Sequence, residues 1–323
     1  MAKFEARLIS EDEFEQWDNL VSKYGTIFQS IRWTKIFEPK IRRIGIYNKG
    51  GNLRGGFCYF EERKFGLKVF RNPPFTPSVG PFYERLAKNP AAKTNEQRDV
   101  VEAMVEYVES QQPALVSLSL VPEVVDGMPF YWKGYKITVG YTYRINLSKS
   151  GNVMSLMRMQ QRNHIKKALK DDIMVEESIY RAVISSLVAK TFKRQKKKFP
   201  VGFMNAILRN FPPGENSYLF VSERDGVPAA AVYCVHDKKT AYNLMTGYDH
   251  QRAHHGAGAL AMYHAMLKAQ EMGLEIFDFE GSMVPAIEKY FRGFGGELTP
   301  YLRVNKAWLP IEIVLKFWKR QLF

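Results

Sequence analysis

Leu274–Ser282, LEIFDFEGS, sets two carboxylates, Asp278 and Glu280, into a run that otherwise has the composition of a buried strand, and closes it with Gly281. Burying a carboxylate costs several kcal/mol unless it is paired or hydrogen-bonded. Strand alternation puts Asp278 and Glu280 on one face and Phe277 and Phe279 on the other. A half-buried sheet with a polar opening at this strand end satisfies both conditions. The stretch just before it, GALAMYHAMLKAQEMG, repeats apolar residues at steps of three and four and ends at Gly273, which predicts a helix with a C-terminal glycine leading into the strand.

The same order of elements occurs earlier in the chain. RIGIYNKGGNLRGGFCYFEE consists of two β-rich runs joined by a glycine turn, and YLFVSERDGVPAAAVYCVHD repeats that plan around Asp225-Gly226. Each hairpin leads to a helical pattern (QRDVVEAMVEYVESQ in the first half), a short strand, a short helix and an aromatic-glycine corner. The corners PFYWKGYKIT and KYFRGFGGEL open into the final strands YTYRINL and TPYLRVN. Internal duplication accounts for this repetition. The expected halves are residues 1–148 and 149–323, meeting near Leu147–Gly151. The second half begins with two basic helical patterns, 153–171 and 180–198. The fold class expected is α+β, with mixed sheets in tandem.

The chain has 323 residues, 46% hydrophobic and 14% aromatic, enough for roughly two cored domains. Cys58 and Cys234 stand far apart in apolar runs, which suits a reducing cytoplasm better than a disulfide framework. MAKFEARLIS lacks the pattern of a cleaved leader, and no run approaches the length of a membrane span, so a cytoplasmic protein is expected. With 47 basic against 33 acidic residues, the net charge of +14 predicts attraction to polyanions: nucleic acid, an anionic membrane or a phosphorylated small molecule. Part of the excess is the block KRQKKK, Lys193–Lys198.

The segments FQSIRWTKIF, MQQRNHIKKALKDDIMVEE, YDHQRAHHGAGALAMYHAMLKAQEMGLEIFDFEG and AIEKYFRGFGGEL, in this order, resemble the FemAB-like family of acyltransferases, whose members are built of two GNAT units. The resemblance implies tandem GNAT-like domains in a bacterial acyl- or aminoacyltransferase. Such an enzyme moves an acyl group from acetyl-CoA, another acyl-CoA or an aminoacyl-tRNA onto an amine of a cell-envelope or polysaccharide precursor, with no metal. It also implies donor contacts at Arg252, Gly256, Ala257 and Gly258, and acceptor contacts at Trp33, Arg162, Asn163, Lys166 and Tyr248. On the same basis Glu280 is the candidate base, with Asp278 beside it, and Tyr290 the candidate acid for the leaving group.

The residues themselves give these assignments a physical basis. Gly256 and Gly258 precede a helix, where backbone N–H groups can approach an anion unobstructed; Arg252 stands one position further from Gly256 than the GNAT phosphate loop requires, and Ala253 takes the expected place. Arg158, Arg162, Lys166 and Lys170 fall four apart, so on a helix they form one basic face that repels itself unless an anion compensates. That face serves either solvent or phosphates. Glu280 serves either as a base or as a cap for the next loop, and positioning of two substrates can dispense with a base altogether. His250, His254 and His255 are close in sequence without a thiolate pair to make a zinc site. The tail WLPIEIVLKFWKRQLF carries Trp308, Phe317, Trp318 and Phe323 with Lys316, Lys319 and Arg320, to pack on the protein body or to lie on an anionic, lipid-bearing surface. The rival to an enzyme is a non-catalytic protein that holds RNA or another anionic polymer through its basic segments.

Overall fold

The computed structural model describes residues 3–194, 199–251, 254–281 and 283–318. The chain divides into two compact units, residues 1–140 with 300–323, and residues 141–299. The elements in chain order are β1 (Phe4–Leu8), α1 (Phe14–Tyr24), α2 (Ile31–Lys35), β2 (Ile41–Asn48), β3 (Leu53–Lys64), β4 (Leu67–Arg71), β5 (Phe82–Tyr83), α3 (Pro90–Ser110), β6 (Leu115–Ser119), α4 (Met128–Trp132) and β7 (Lys136–Asn146). They continue with α5 (Val153–Leu156), α6 (Met159–Lys170), β8 (Met174–Glu177), α7 (Arg181–Arg194), α8 (Val201–Asn210), β9 (Ser217–Arg224), β10 (Val227–His236), β11 (Thr240–Tyr248), α9 (Ala257–Glu271), β12 (Ile276–Asp278), α10 (Pro285–Arg292), β13 (Glu297–Ala307) and α11 (Leu309–Trp318).

Both hairpins form as the turn chemistry predicts. β2 pairs antiparallel with β3, and β9 with β10, the latter turning through Asp225 and Gly226 at positive φ. The duplication extends to the pairings. In the first unit β3 is antiparallel to β4 and β4 parallel to β6; in the second β10 is antiparallel to β11 and β11 parallel to β12. The closing strands are exchanged. Residues 144–146 of β7 pair with β12 in the second unit, and residues 303–307 of β13 pair with β6 in the first.

The first unit packs α3 over its sheet, burying Val100, Val101, Met104, Val105 and Val108 against residues such as Ile44, Phe57, Phe70, Val116 and Val304. In the second unit α9 packs against β9 and β10 and against α5 and α6, while Lys268 and Glu271 mark its more exposed side. Its alanines Ala257, Ala261, Ala265 and Ala269 let these neighbours approach closely. As expected, Gly273 ends it with φ +73°, and the Leu274 amide reaches back to the Ala269 carbonyl in a Schellman closure.

The helix expected over 153–171 is interrupted. Arg158 is extended, with φ −61° and ψ 150°, because its amide donates to the Gly293 carbonyl and Met157 beside it is buried. The four-residue basic stripe therefore has its first member at the helix cap and only Arg162, Lys166 and Lys170 on α6. For the expected 180–198 helix, α7 ends at Arg194, and residues 195–198 of the basic block lie outside the described residues.

Trp33 sits at 0% exposure in the first unit, donating from Nε1 to Thr76 Oγ1 at 3.0 Å and packing edge-on against Phe28. Its neighbour Gln29 donates to the Ser78 carbonyl at 3.1 Å. Together they anchor the 72–80 loop, whose Asn72 side chain accepts the Ser119 amide and whose Val79 amide donates to the Ser119 carbonyl. We expect Trp33→Ala to lower stability by about 3–5 kcal/mol through cavity formation, measured by urea unfolding; a loss below about 1 kcal/mol would contradict this anchoring role.

Candidate active site

In the second unit, β11 and β12 share three register pairs, the last between Tyr242 and Asp278. β11 then continues to Tyr248, while the chain leaves β12 at Asp278. Beyond that point residues 243–248 have no β12 partner, and the sheet is split.

Asp278 holds the end of β12 in place. It is buried, and its Oδ1 accepts the Thr142 hydroxyl at 2.5 Å and the Glu280 amide at 2.9 Å, while Oδ2 accepts Arg144 Nε at 2.6 Å. Strand alternation ends here. Phe279 stays in the core, edge-on to Phe277 at 5.1 Å, and Glu280 turns into the left-handed region at φ +59°, followed by Gly281 at +61°. A Cβ on Gly281 would overlap the Tyr141 carbonyl oxygen, so only glycine fits this turn. Burial first, and the Asp278 carboxylate second, push the Glu280 carboxyl well above the ordinary range, against the opposing pull of Arg144.

A cavity of about 530 Å³ lies around the end of β11 and the start of α9. Thr246, Gly247 and Tyr248 contribute from β11, Gly258 and Ala259 from the first turn of α9, and Ile287, Lys289, Tyr290 and Phe291 from α10. Arg158, Gln160, Gln161 and His164 complete it with His250, His255 and Thr191. No Asp or Glu lines it among the described residues, so its ionic character is cationic.

The elements are locked around this cavity by specific contacts. Thr191 Oγ1 accepts the Tyr248 amide at 3.2 Å, and Lys190 pairs with buried Asp249 at 2.6 Å, joining α7 to the end of β11. His254, also buried, pairs through Nε2 with Asp171 at 2.9 Å and accepts the Gly256 amide on Nδ1 at 3.1 Å. A Cβ on Gly256 would overlap the His164 carbonyl oxygen, so this glycine serves the α6–α9 approach. The Ala257 amide donates to the His254 carbonyl. Gly258 and Ala259, which line the cavity, are first-turn residues whose amides have no acceptor within the helix.

Tyr290 faces the same space, its hydroxyl 3.4 Å from where a Cβ on Gly258 would stand. Burial first and Tyr248 second raise its pKa, so the phenol keeps its proton. Gln161 donates to the Tyr290 carbonyl at 3.2 Å, and its Oε1 lies 3.2 Å from His164 Nδ1. That orientation of the amide makes Nδ1 the protonated nitrogen of His164 and Nε2 the one with a lone pair. Desolvation first, then His255 and His254, lower the His164 pKa below its ordinary 6.5, favouring the neutral ring.

Of the residues proposed from sequence, Tyr248, Gly258 and Tyr290 meet at this cavity. Gly256 and Ala257 lie just behind it in the helix start, and Arg252 is outside the described residues. Asp278 and Glu280 sit at the end of β12 and do not line it. Arg162 is half-buried, Asn163 and Lys166 are exposed on α6, and Trp33 belongs to the core of the other unit. Sequence reasoning missed His164, Gln161 and Lys289. His164 stands inside the basic motif, and Lys289 inside the α10 motif, but nothing in their spacing marks them as neighbours. Cys58 and Cys234 are fully buried thiols pushed up to about 12, which suits core filling. Among the described residues no cluster of three potential metal ligands occurs.

Comparison with known proteins shows what this geometry is similar to. Residues 158–292 match the family model described as acetyltransferase (GNAT) domain. The chain carries a GNAT domain. No curated protein matches it. Its fold is similar to that of FemX, with a TM-score of 0.69 at 12% identity over 97% of this chain and 100% of that one. It is also similar to a tandem GNAT protein from the clavulanic acid biosynthesis pathway (TM-score 0.57, 12% identity, covering 94% and 97%). A third likeness is to the C-terminal domain of a putative lysylphosphatidylglycerol synthetase from Agrobacterium fabrum (0.58, 11%, 94% and 95%). The tandem GNAT-like, FemAB-like architecture expected from the duplicated sequence is therefore the observed fold.

Two outcomes test the local architecture. Gly256→Ala should destabilise the GNAT unit by about 1–3 kcal/mol, as overpacking does; an unchanged urea midpoint would contradict the tight α6–α9 approach. The raised Glu280 pKa means the folded state binds this proton more tightly than the unfolded state. Its contribution is then fully present below the unfolded value and lost as pH rises toward the folded one. Glu280→Gln should therefore gain stability relative to the parent as pH is raised from about 5 to about 8; a difference independent of pH in parallel urea titrations would refute the shift.

Proposed function

We propose that the cavity of the GNAT unit binds the activated end of an acyl donor and that the protein transfers this acyl or aminoacyl group to an amine of a cell-envelope or polysaccharide precursor. The observation that carries the reading is a split sheet opening onto a cavity with cationic and no acidic lining. The donor best suited to it is an acyl-CoA, with an aminoacyl-tRNA as the other member of the same anionic class. Arg158 and Lys289 would offset phosphate charge, and the first-turn amides of Gly258 and Ala259 would bind phosphate oxygens. The apolar wall of Ala259, Ile287 and Phe291 suits an uncharged linker arm.

The reaction is attack of the amine nitrogen on the thioester or ester carbonyl. The new C–N bond forms as the C–S or C–O bond breaks, and the edge of β11 that lacks a β12 partner offers the Thr246 N–H to the oxyanion, two residues before the Tyr248 N–H on the same edge. His164, held neutral and oriented by Gln161, takes the proton from the amine; Tyr290, which keeps its proton at neutral pH, gives it to the departing thiolate or alkoxide. Asp278 and Glu280 act one step removed, shaping the strand end that opens the split. The first half serves the acceptor.

Calorimetric titration with acetyl-CoA at low salt tests the donor site. We expect saturable binding, weakened about 10- to 100-fold in Arg158→Ala/Lys289→Ala, since charge-assisted hydrogen bonds contribute about 1.5–3 kcal/mol each. Binding of charged tRNA but not acetyl-CoA would transfer the reading to the other donor. RNA binding that persists in that variant and in Tyr290→Phe, with no acyl transfer from either donor, would favour a non-catalytic binding protein. With transfer established, kcat/KM should decline only below pH 6.5, and that acid limb should vanish in His164→Asn; an unchanged profile would remove His164 as the base.

A further inference from the structure

In the first unit, α11 turns an apolar face outward. Phe317 is 84% exposed, Leu309 69%, Val314 57% and Ile313 50%, with Trp308 half-exposed just before the helix. Leu309, Ile313 and Phe317 recur every fourth residue and so form one stripe, while Ile311 and Leu315 are turned inward. Isolated exposed apolar residues are ordinary on a protein surface, but five in ten consecutive positions make a patch.

The patch has a basic border, with α4 close by. Lys136 at the start of β7 reaches Glu312 of α11 at 3.5 Å, and Lys306 of β13 donates to the Lys133 carbonyl at 2.9 Å. These contacts bring the C-terminal end of α4, with Tyr131 and Trp132 exposed, beside the start of α11. Glu312 is compensated by two lysines, since Lys316 also lies 3.1 Å from it. Lys306 also pairs with Glu109 at 2.7 Å, so the border sets Lys133, Lys136, Lys306 and Lys316 against two carboxylates, Glu109 and Glu312. Lys319, Arg320 and Phe323 lie outside the described residues.

We propose that this face is a docking surface for an anionic lipid bilayer, in which α11 lies parallel to the membrane with Leu309, Ile313 and Phe317 in the acyl boundary and the lysines among the headgroups. The chemistry selects this occupant over a second copy of the chain, because two basic borders would repel each other. Aromatic side chains with one apolar and one polar end, Trp308, Tyr131 and Trp132, suit the headgroup level. No described helix is long and apolar enough to cross a membrane, so the contact would be peripheral. It goes beyond acyl transfer and does not depend on it, although it would concentrate the protein where lipid-linked amines are found.

Flotation of the full chain with vesicles tests the proposal. Phosphatidylcholine vesicles carrying about 30% phosphatidylglycerol should bind the protein and pure phosphatidylcholine vesicles should not, with binding weakened by salt. Ile313→Glu/Phe317→Glu should reduce the bound fraction at least about tenfold while leaving the thermal midpoint unchanged, since both side chains are exposed. Lys133→Gln/Lys316→Gln should weaken binding to anionic vesicles less severely. The proposal is overturned by absence of binding to anionic vesicles at low salt, or by undiminished binding of the Ile313/Phe317 variant. It is equally overturned if that variant's only effect is to turn a dimer into a monomer in light scattering, which would assign the face to a second copy.

Discussion

The end of β12 governs the second unit. A parallel sheet forms its hydrogen bonds pair by pair, and here pairing with β11 stops at Asp278 because the carboxylate redirects the chain. Three donors, from Thr142, Arg144 and Glu280, saturate it. An unpaired carboxylate could not stay buried at this position, and an apolar side chain could not hold the following turn. The split, and the cavity beyond it, follow from where that strand stops.

The first unit shows what happens when the same plan is closed. β4 ends at Arg71, the residue that makes its last pair with β6, so no arm projects beyond the pairing. The 72–80 loop supplies partners for the Ser119 backbone instead, and Gln29 and Trp33 secure that loop. One pairing scheme thus yields an open sheet in one copy and a filled one in the other. The difference lies in how far the third strand runs and what occupies the space after it. The asymmetry leaves an open strand edge in the second unit and a loop-filled one in the first.

Much of this was legible in the sequence because it rests on local physics. Asp225-Gly226 announces its turn, Gly273 its helix end, and the alternating apolar runs their strands. The duplicated order of elements carried the fold class. What escaped was non-local. The short strand β4 has too few residues for a periodic signal, and the exchange of closing strands leaves no trace in composition. The break at Arg158 arises from a hydrogen bond to Gly293, more than a hundred residues away. Asp278 and Glu280 were visible as an anomaly, yet alternation could not foresee the left-handed turn that carries Glu280 away from the strand. Gly256 was legible as a helix start, but its crowded approach to His164 belongs to tertiary packing.

The arrangement of charge ties these observations together. Two buried aspartates of the GNAT unit are each spent on a structural partner: Asp278 on Arg144, Asp249 on Lys190. The cations at the cavity, Arg158 and Lys289, have no lining carboxylate among the described residues to neutralise them. In a partly desolvated space, like charges without a counterion raise the free energy of the empty protein, and a bound anion relieves it. Burial first, and the neighbouring His255 and His254 second, disfavour protonation of the His164 imidazole at the same cavity. On the proposed reading, these cations would draw in the phosphates of the donor, and a neutral imidazole and a protonated phenol lining the same cavity would handle the protons of acyl transfer to an amine.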